Sequence, residues 1–161
     1  MTTLEERRIA SDKRVVDNIC KYGCHVLSVF DPEEKHPNFT YSIGIQETTG
    51  APEVLVVGIR SELGHSMVSE YHAQLKKGVQ FKRGVLYQGF LEGFAVYVEP
   101  VKPQNLSEYT GGCNRYYKEK HYSVVQLIYP STTGVWTWQS LATTWFKVNQ
   151  PMLGRKRPDR P

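Results

Sequence analysis

Two stretches of the chain decide its fold: Phe-Thr-Tyr-Ser-Ile-Gly-Ile at residues 39–45 and Glu-Val-Leu-Val-Val-Gly-Ile at residues 53–59. In the first stretch, large apolar residues alternate with small or polar ones, which is typical of a strand with one buried face. The second stretch is apolar on both faces, which indicates a central strand covered on both sides. We therefore expect a sheet with protein layers on both of its faces.

Other segments supply the remaining strands and the layers. Residues 24–30, 84–88, 90–99 and 122–129 have the composition of strands. Two helices are expected, over residues 4–22 and 61–77, and each carries an apolar stripe along one side. Thr3 and Glu6 form a capping box at the start of the first helix, and Gly23 and Gly78 end the two helices.

The order of these segments predicts the fold class. Strands outnumber helices, and the helices do not follow every strand, so a doubly wound fold is disfavoured. We expect an α+β fold with a mixed or largely antiparallel sheet of about six strands and two main helices packed on it. A partly closed, barrel-like sheet is the alternative. The tyrosine-rich segment 106–122 is expected to form a short helix and a loop, interrupted at Gly111 and Gly112.

Length and composition limit the domain organisation. The chain has 161 residues, of which 40% are hydrophobic and 22% charged, so disordered, collagen-like and coiled-coil proteins are excluded. This length suits one core. We expect a single domain over residues 1–153 and a basic, disordered tail over residues 154–161, because the tail holds two prolines and no apolar anchor.

The charge is unevenly distributed along the chain. Its formal net charge is +4, with −5 in residues 31–70, +4 in residues 71–120 and +3 in the tail. Without the tail the remaining chain carries only +1, so a broad nucleic-acid-binding face is not expected.

Other features suggest where the protein resides. No apolar stretch is long enough for a membrane span, and the first residues lack the apolar region of a secretory signal. Three cysteines without a metal-binding spacing are expected to be reduced thiols. We expect a cytoplasmic protein without a bound cofactor.

Several short motifs resemble one known family. They are Gly23-Cys24-His25-Val26, the stretch 39–45, Ala51-Pro52-Glu53-Val54 with Gly58-Ile59, Gln126-Leu127, and the block from Pro130 to Gln139. Over about residues 23–139 they are similar to the bacterial and phage proteins grouped as domain of unknown function 4262. The family has no assigned activity, so the resemblance implies a shared fold and leaves the function open.

The last of these motifs departs from the family pattern. Ser131 stands where Asp is common, Thr137 where Pro is common, and Gln139 where Glu is common. Two carboxylates are therefore missing. If the family performs acid–base chemistry at this block, the resemblance implies that this chain does not.

Cations and aromatic residues concentrate across residues 71–122, and Trp136, Trp138 and Trp145 add further aromatic rings. The expected ligand-binding residues are Lys82, Arg83, Tyr87, Tyr109, Arg115, Tyr116, Trp136 and Trp138. Arginine and lysine pair with phosphate, and aromatic rings offer stacking surfaces. This combination predicts a non-catalytic protein that binds an anionic, nucleotide-like small molecule, and sequestration of a signalling nucleotide is one form of that function.

Two other functions remain open. A hydrolase or transferase would use Cys113 as nucleophile and His121 as base, and a protein-interaction module would use exposed aromatic residues and the tail. Two copies of the chain could also pair through an edge strand. A metal site is not expected, because His65 and His72 are seven residues apart on one helix, about 10.5 Å along its axis.

Overall fold

The computed structural model describes residues 3–160 and contains one six-stranded sheet. The strands are β1 (His25–Val29), β2 (Phe39–Ile43), β3 (Glu53–Val57), β4 (Leu86–Leu91), β5 (Phe94–Pro100) and β6 (Val124–Ile128). Their order across the sheet is β1-β2-β3-β6-β5-β4. Only β3 and β6 pair in parallel, and the other neighbours are antiparallel. The mixed sheet confirms the predicted α+β class, and since the sheet is open the barrel-like alternative is wrong.

Five α-helices accompany the sheet among the described residues. They are α1 (Leu4–Tyr22), α2 (Ile45–Thr49), α3 (Ser61–Lys76), α4 (Gly111–Tyr117) and α5 (Thr144–Asn149), and a short 3₁₀ helix spans Pro103–Asn105. The two long helices are those predicted. The capping box of Thr3 and Glu6 is present, and Gly23 ends α1 in the left-handed conformation. None of the helices within residues 3–160 is both long and apolar enough to cross a membrane.

Helix α3 covers one face of the sheet. Its buried residues Met67 and Val68 form a core cluster with Val54, Val56 and Val98 of the strands. The helix approaches β2 closely at Gly64, where an added Cβ would lie 2.6 Å from Oγ1 of Thr40. A small residue is therefore required at this contact.

The opposite face is covered by two separate parts of the chain. Helices α1 and α4 pack over β2 and β3, where Ile19 and Cys113 join the cluster that contains Tyr41 and Leu55. The C-terminal segment 150–158 covers β6 and β5 instead. In that segment, Leu153 donates its N–H to Oε1 of the buried Gln126.

The tail is part of this second covering. Arg155 forms a bidentate ion pair with Glu99 of β5, whose side chain is buried. Gly154 is buried against the carbonyl oxygen of Pro100. This arrangement differs from the disordered tail predicted from sequence. That prediction considered only apolar anchors, whereas the tail is held by the ion pair between Arg155 and the buried Glu99.

Two element boundaries also differ from prediction. The strand expected to reach Ile45 ends at Ile43, because Gly44 turns the chain with φ 102° and α2 begins at Ile45. The strand expected over residues 90–99 is divided by a hairpin turn at Glu92 and Gly93, so that Phe90 belongs to β4. Glycine permits the left-handed conformation that both turns require.

Candidate functional site

A buried carboxylate organises the centre of the molecule. Glu53 is fully buried at the start of β3. Its carboxylate accepts hydrogen bonds from the N–H groups of Gly44, Ile45 and Gln46 and from the hydroxyls of Ser42 and Tyr117. Burial raises the pKa of Glu53, and the hydrogen bonds from Tyr117 and Ser42 oppose that increase. All of its partners are donors from the protein itself, so Glu53 joins β2, α2 and α4 rather than facing a ligand.

The predicted nucleophile lies in the same buried region. Cys113 is fully buried, and its thiol donates to the carbonyl oxygen of Ser42 at 3.2 Å. Burial, and then the charge of Glu53, raise the pKa of Cys113 above its ordinary value, so the thiol is protonated at neutral pH. His121 is exposed, and within residues 3–160 no hydrogen bond joins it to Cys113. The geometry does not bring the two residues together as a nucleophile and its base.

A pocket of about 340 Å³, hereafter the α1–α4 pocket, lies between α1, β1 and α4. Val15, Leu27 and Ile43 supply apolar surface, and Arg115, Tyr116 and Lys118 line the side formed by α4 and the residue after it. Its volume is at the lower end of the range for small-ligand sites. The pocket thus combines an apolar wall with cationic and aromatic side chains.

Two cations give this pocket its charge. Arg115 is paired with Asp12 of α1, and both side chains are about half exposed. Lys118 has no ion-pair partner among the described residues. Its backbone has φ 57° and ψ −115°, a positive-φ conformation that is rare for a non-glycine residue and costs on the order of 1–3 kcal/mol. The chain therefore ends α4 in a strained conformation at the residue that brings the unpaired cation to the pocket.

His25 adds a neutral polar group to the same pocket. Its Nδ1 lies 2.9 Å from Nδ2 of Asn18, which can only donate, so Nδ1 accepts and Nε2 carries the hydrogen. Burial, and then the positive charges of Arg14 and His65, lower the pKa of His25. The imidazole is consequently neutral at pH 7 and offers one N–H donor.

The structure distributes the predicted ligand-binding residues over several places. Arg115 and Tyr116 line the α1–α4 pocket. Tyr109 lies in another cavity and packs edge-on against Phe39, with ring centroids 5.1 Å apart. Lys82, Arg83 and Tyr87 lie in or next to β4, which is at the opposite edge of the sheet from β1.

The predicted tryptophans form a cluster of their own. Trp136 and Trp138 stack on each other with ring centroids 5.1 Å apart, and both contact Tyr97 of β5. They line neither the α1–α4 pocket nor the cavity at Tyr109. Since β5 is four strands away from β1 in the sheet, these rings do not join Arg115 and Tyr116 in one site.

A larger cleft of about 640 Å³ lies beside the first turn of α3. It is lined by parts of the loop 30–37, by Arg60 and Glu62, and by Trp145. Asp31, Glu34 and Glu62 outnumber the single arginine there, which makes the cleft less suitable than the α1–α4 pocket for an anion. No function is predicted for this loop from sequence, because a polar segment with two prolines has no distinctive motif.

The sequence model of one family, described as Domain of unknown function (DUF4262), matches residues 18–143. The chain belongs to the DUF4262 family. This confirms the resemblance inferred from the short motifs. No curated protein and no solved structure matches the chain significantly.

The DUF4262 match covers all six strands but not every part of the candidate site. Asp12 and Val15 of α1, which line the α1–α4 pocket, precede the matched residues, and the C-terminal segment from residue 144 follows them. One wall of the pocket and the covering of β5 and β6 therefore come from segments outside the DUF4262 match.

The divergent block at residues 130–139 stabilises its own loop. Gln139 Oε1 accepts the N–H of Trp136 at 2.9 Å, and the Ser131 hydroxyl accepts the N–H of Val135 at 3.1 Å. Thr137 is buried, and its hydroxyl oxygen has no hydrogen-bond partner among the described residues. Ser131 and Gln139 therefore anchor the loop that carries the tryptophans, whereas the Thr137 hydroxyl contributes no hydrogen bond to it.

Proposed function

We propose that this protein binds, without chemical conversion, a small anionic ligand that carries a flat or apolar body. The single observation that supports this function is the α1–α4 pocket, where an apolar wall meets Arg115 and the unpaired Lys118. An apolar ligand would leave both cations unused, and a strongly charged inorganic ion would leave the apolar wall uncovered. A ligand with both parts uses the whole pocket.

A nucleotide-like molecule satisfies this description. Lys118 and Arg115 would hold a phosphate, since ammonium and guanidinium groups form charge-assisted hydrogen bonds with phosphate oxygens. The Tyr116 ring offers a stacking surface for a base, and His25 offers an N–H donor. The volume of about 340 Å³ favours a mononucleotide over a dinucleotide.

The titratable groups near the pocket favour binding over turnover. Asp12 is occupied by Arg115, Cys113 is a buried, protonated thiol, and the acceptor nitrogen of His25 is engaged by Asn18. A general base needs both reach and a suitable pKa, and a nucleophile needs access. The three cysteines are free, which is compatible with a reducing cytoplasmic environment.

Titration calorimetry against AMP, GMP, UMP, their diphosphates and cyclic AMP tests the proposal. We expect Lys118→Gln to weaken binding about tenfold, because a charge-assisted hydrogen bond between an ammonium group and a phosphate contributes about 1.4 kcal/mol or more. Asp12→Asn should tighten binding, since Arg115 loses its competing carboxylate. Lys120→Gln removes an exposed charge two residues away that does not line the pocket, and it should leave the affinity unchanged.

Two results would reject this function. One is the absence of heat with every member of the panel, and the other is weaker binding by Asp12→Asn, which would mean that the pocket prefers a cation. Chromatography of the ligand after prolonged incubation separates binding from catalysis, and we expect the ligand to be recovered unchanged.

A further inference from the structure

The docked tail brings basic residues from two distant parts of the sequence to one surface. A groove of about 510 Å³, the tail groove, lies between two segments of the chain. It is lined by Arg83 and Gly84 on one side and by Arg155, Pro158, Asp159 and Arg160 on the other. An added Cβ at Gly84 would lie 3.4 Å from the carbonyl oxygen of Pro158, so the two segments are in close contact. This contact exists because the Arg155–Glu99 ion pair holds the tail on the sheet.

The net charge of the chain is concentrated around this groove. Arg83, Arg155, Arg160 and Asp159 line the groove. Lys82, Lys156 and Arg157 are their neighbours in sequence, and Glu99 pairs with Arg155. Six cations less two acids give +4, which equals the formal charge of all 161 residues. The remainder of the chain is therefore neutral overall, and the tail groove is the local centre of positive charge.

Several of these cations are available to a partner. Arg155 is engaged by Glu99 and Arg157 by Asp159. The side chains of Lys82, Arg83, Lys156 and Arg160 are exposed, and none has an ion-pair partner within the described residues 3–160. Two of these free cations come from the loop before β4 and two from the tail, so a ligand must span both segments to contact all four.

Aromatic side chains lie beside the same surface. Tyr97 lies two residues before Glu99 on β5, so its side chain is on the face of the sheet that the tail covers through Arg155. Trp136 and Trp138 pack on Tyr97 and are partly exposed. A cationic groove flanked by aromatic rings is the usual arrangement for a strand with unpaired bases, whose phosphates and bases are bound by different side chains.

We propose that the tail groove binds single-stranded nucleic acid, with the free cations of both segments on its phosphates and the tryptophan pair beside its bases. The proposed binding surface is confined to this groove, because the remaining chain carries no net charge. Docking of the tail assembles it, because Arg160 lies in the same groove as Arg83 only while Arg155 is held by Glu99. This inference does not depend on the α1–α4 pocket.

Fluorescence anisotropy with a labelled oligothymidylate of about 20 nucleotides, measured over a series of salt concentrations, tests the proposal. We expect Lys82→Gln/Arg83→Gln to weaken binding about tenfold and to reduce the slope of log Kd against log salt by about 1.4. The matched control Lys13→Gln/Lys21→Gln removes two exposed cations from α1, which packs on β1 at the opposite edge of the sheet. It should leave both values unchanged.

A second test separates docking of the tail from the effect of net charge, because the two predict opposite changes in affinity for Glu99→Gln. Glu99→Gln raises the net charge by one, yet it releases Arg155 and should weaken binding severalfold. Gly154→Ala changes no charge, and its Cβ would collide with the carbonyl oxygen of Pro100, so it should weaken binding in the same way. Thermal unfolding of both variants establishes that they remain folded, and Gly154→Ala serves if Glu99→Gln does not fold.

Four outcomes would overturn the inference. The first is no binding of the oligonucleotide at low salt, and the second is equal loss of affinity in the α1 control. The third is equally tight binding of an oligoglutamate of the same charge, which would assign the surface to acidic proteins. Unchanged or tighter binding by both Glu99→Gln and Gly154→Ala would remove the tail from the site.

Discussion

At the scale of single residues, the two buried acids Glu53 and Glu99 are stabilised by different kinds of partner. Glu53 is surrounded by hydrogen-bond donors of the backbone and of two hydroxyl groups, whereas Glu99 is paired with one guanidinium. In both cases the carboxylate connects segments that lie far apart in sequence. A buried charge is tolerated only when such partners are in place.

Replacement of Glu53 by alanine should lower the free energy of unfolding by at least about 3 kcal/mol, because several buried donors lose their acceptor at once. Urea denaturation measures this loss. Glu47→Ala, an exposed acid on α2, should change the same quantity by no more than about 0.5 kcal/mol. Glu53→Gln should fall between the two, and an equal effect of Glu53→Ala and Glu47→Ala would contradict the role of Glu53 as the acceptor of these hydrogen bonds.

His25 predicts a pH dependence of stability. Because its pKa is lowered from 6.5 in the folded chain, the unfolded chain binds more protons below that value. The free energy of unfolding should therefore be highest above about pH 6.5 and should decrease as the pH falls below it. Burial lowers the pKa of His72 as well, which adds to the same trend.

Urea midpoints at about pH 7.5 and about pH 5.5 measure this dependence. We expect His25→Gln to have a smaller difference between the two midpoints than the unmodified chain. His121→Gln, at an exposed position, should keep the full difference. If His25→Gln also keeps the full difference, His25 is not responsible for the trend.

At the scale of secondary structure elements, the passage from β2 to α2 positions both the buried acid and the pocket. Gly44 adopts φ 102°, and an added Cβ there would lie 2.6 Å from Cγ1 of Ile19 on α1. The turn thus places α2 over Glu53 while leaving room for α1. A helix of only five residues depends on such tertiary contacts, because it is too short to be stable alone.

Gly44→Ala should destabilise the protein by about 2–4 kcal/mol, since it combines a left-handed backbone with a collision at Ile19. Gly50→Ala is the matched control, because Gly50 has φ 80° with no atom within 4 Å of the added Cβ. It should cost about 1 kcal/mol from backbone strain alone. Thermal or urea unfolding compares the two, and equal losses would show that Ile19 accommodates the extra carbon.

At the scale of the whole molecule, the second face of the sheet is covered by two segments that are not adjacent in sequence. Helices α1 and α4 cover β2 and β3, and the C-terminal segment covers β6 and β5 through Gln126, Leu153 and Arg155. The two coverings create different surfaces, a pocket on one side and a basic groove on the other.

Removal of residues 154–161 should lower the free energy of unfolding by about 2–3 kcal/mol, because Glu99 is left buried without its cation. The value lies below that of a fully buried pair because the Arg155 side chain is 24% exposed. Adding Glu99→Gln to the shortened chain should restore most of the loss. No change in stability on truncation, measured by urea denaturation, would favour the disordered tail predicted from sequence.

Much of the fold could be predicted from particular segments. The alternation at residues 39–43 and the apolar run at residues 53–57 identified β2 and β3, and the capping box located the start of α1. Helix α2 was not predicted, because five residues are too few for a periodic signal and its stabilising acceptor is eight residues away. The end of β4 was misplaced because Phe90 and Leu91 are as apolar as the strand that follows.

The candidate site was less accessible to sequence reasoning. Arg115 and Tyr116 were identified from a run of cations and aromatic residues, but Lys118, His25 and Asp12 were not, since the pocket they share joins three separate elements. The tail was predicted to be basic from its sequence. Glu99, which pairs with Arg155 of the tail, was predicted only to be a strand residue.

The sequence by itself determined the element types, the α+β class and the family, because periodicity, capping and short motifs act over a few neighbouring residues. Only the tertiary structure decided which cations share a surface. Arg83 and Arg160 are 77 residues apart along the chain and line one groove, whereas Arg83 and Arg115 belong to different sites. The physical reason is that strand order and the buried partners of Glu53 and Glu99 set these distances, and both are properties of the folded sheet.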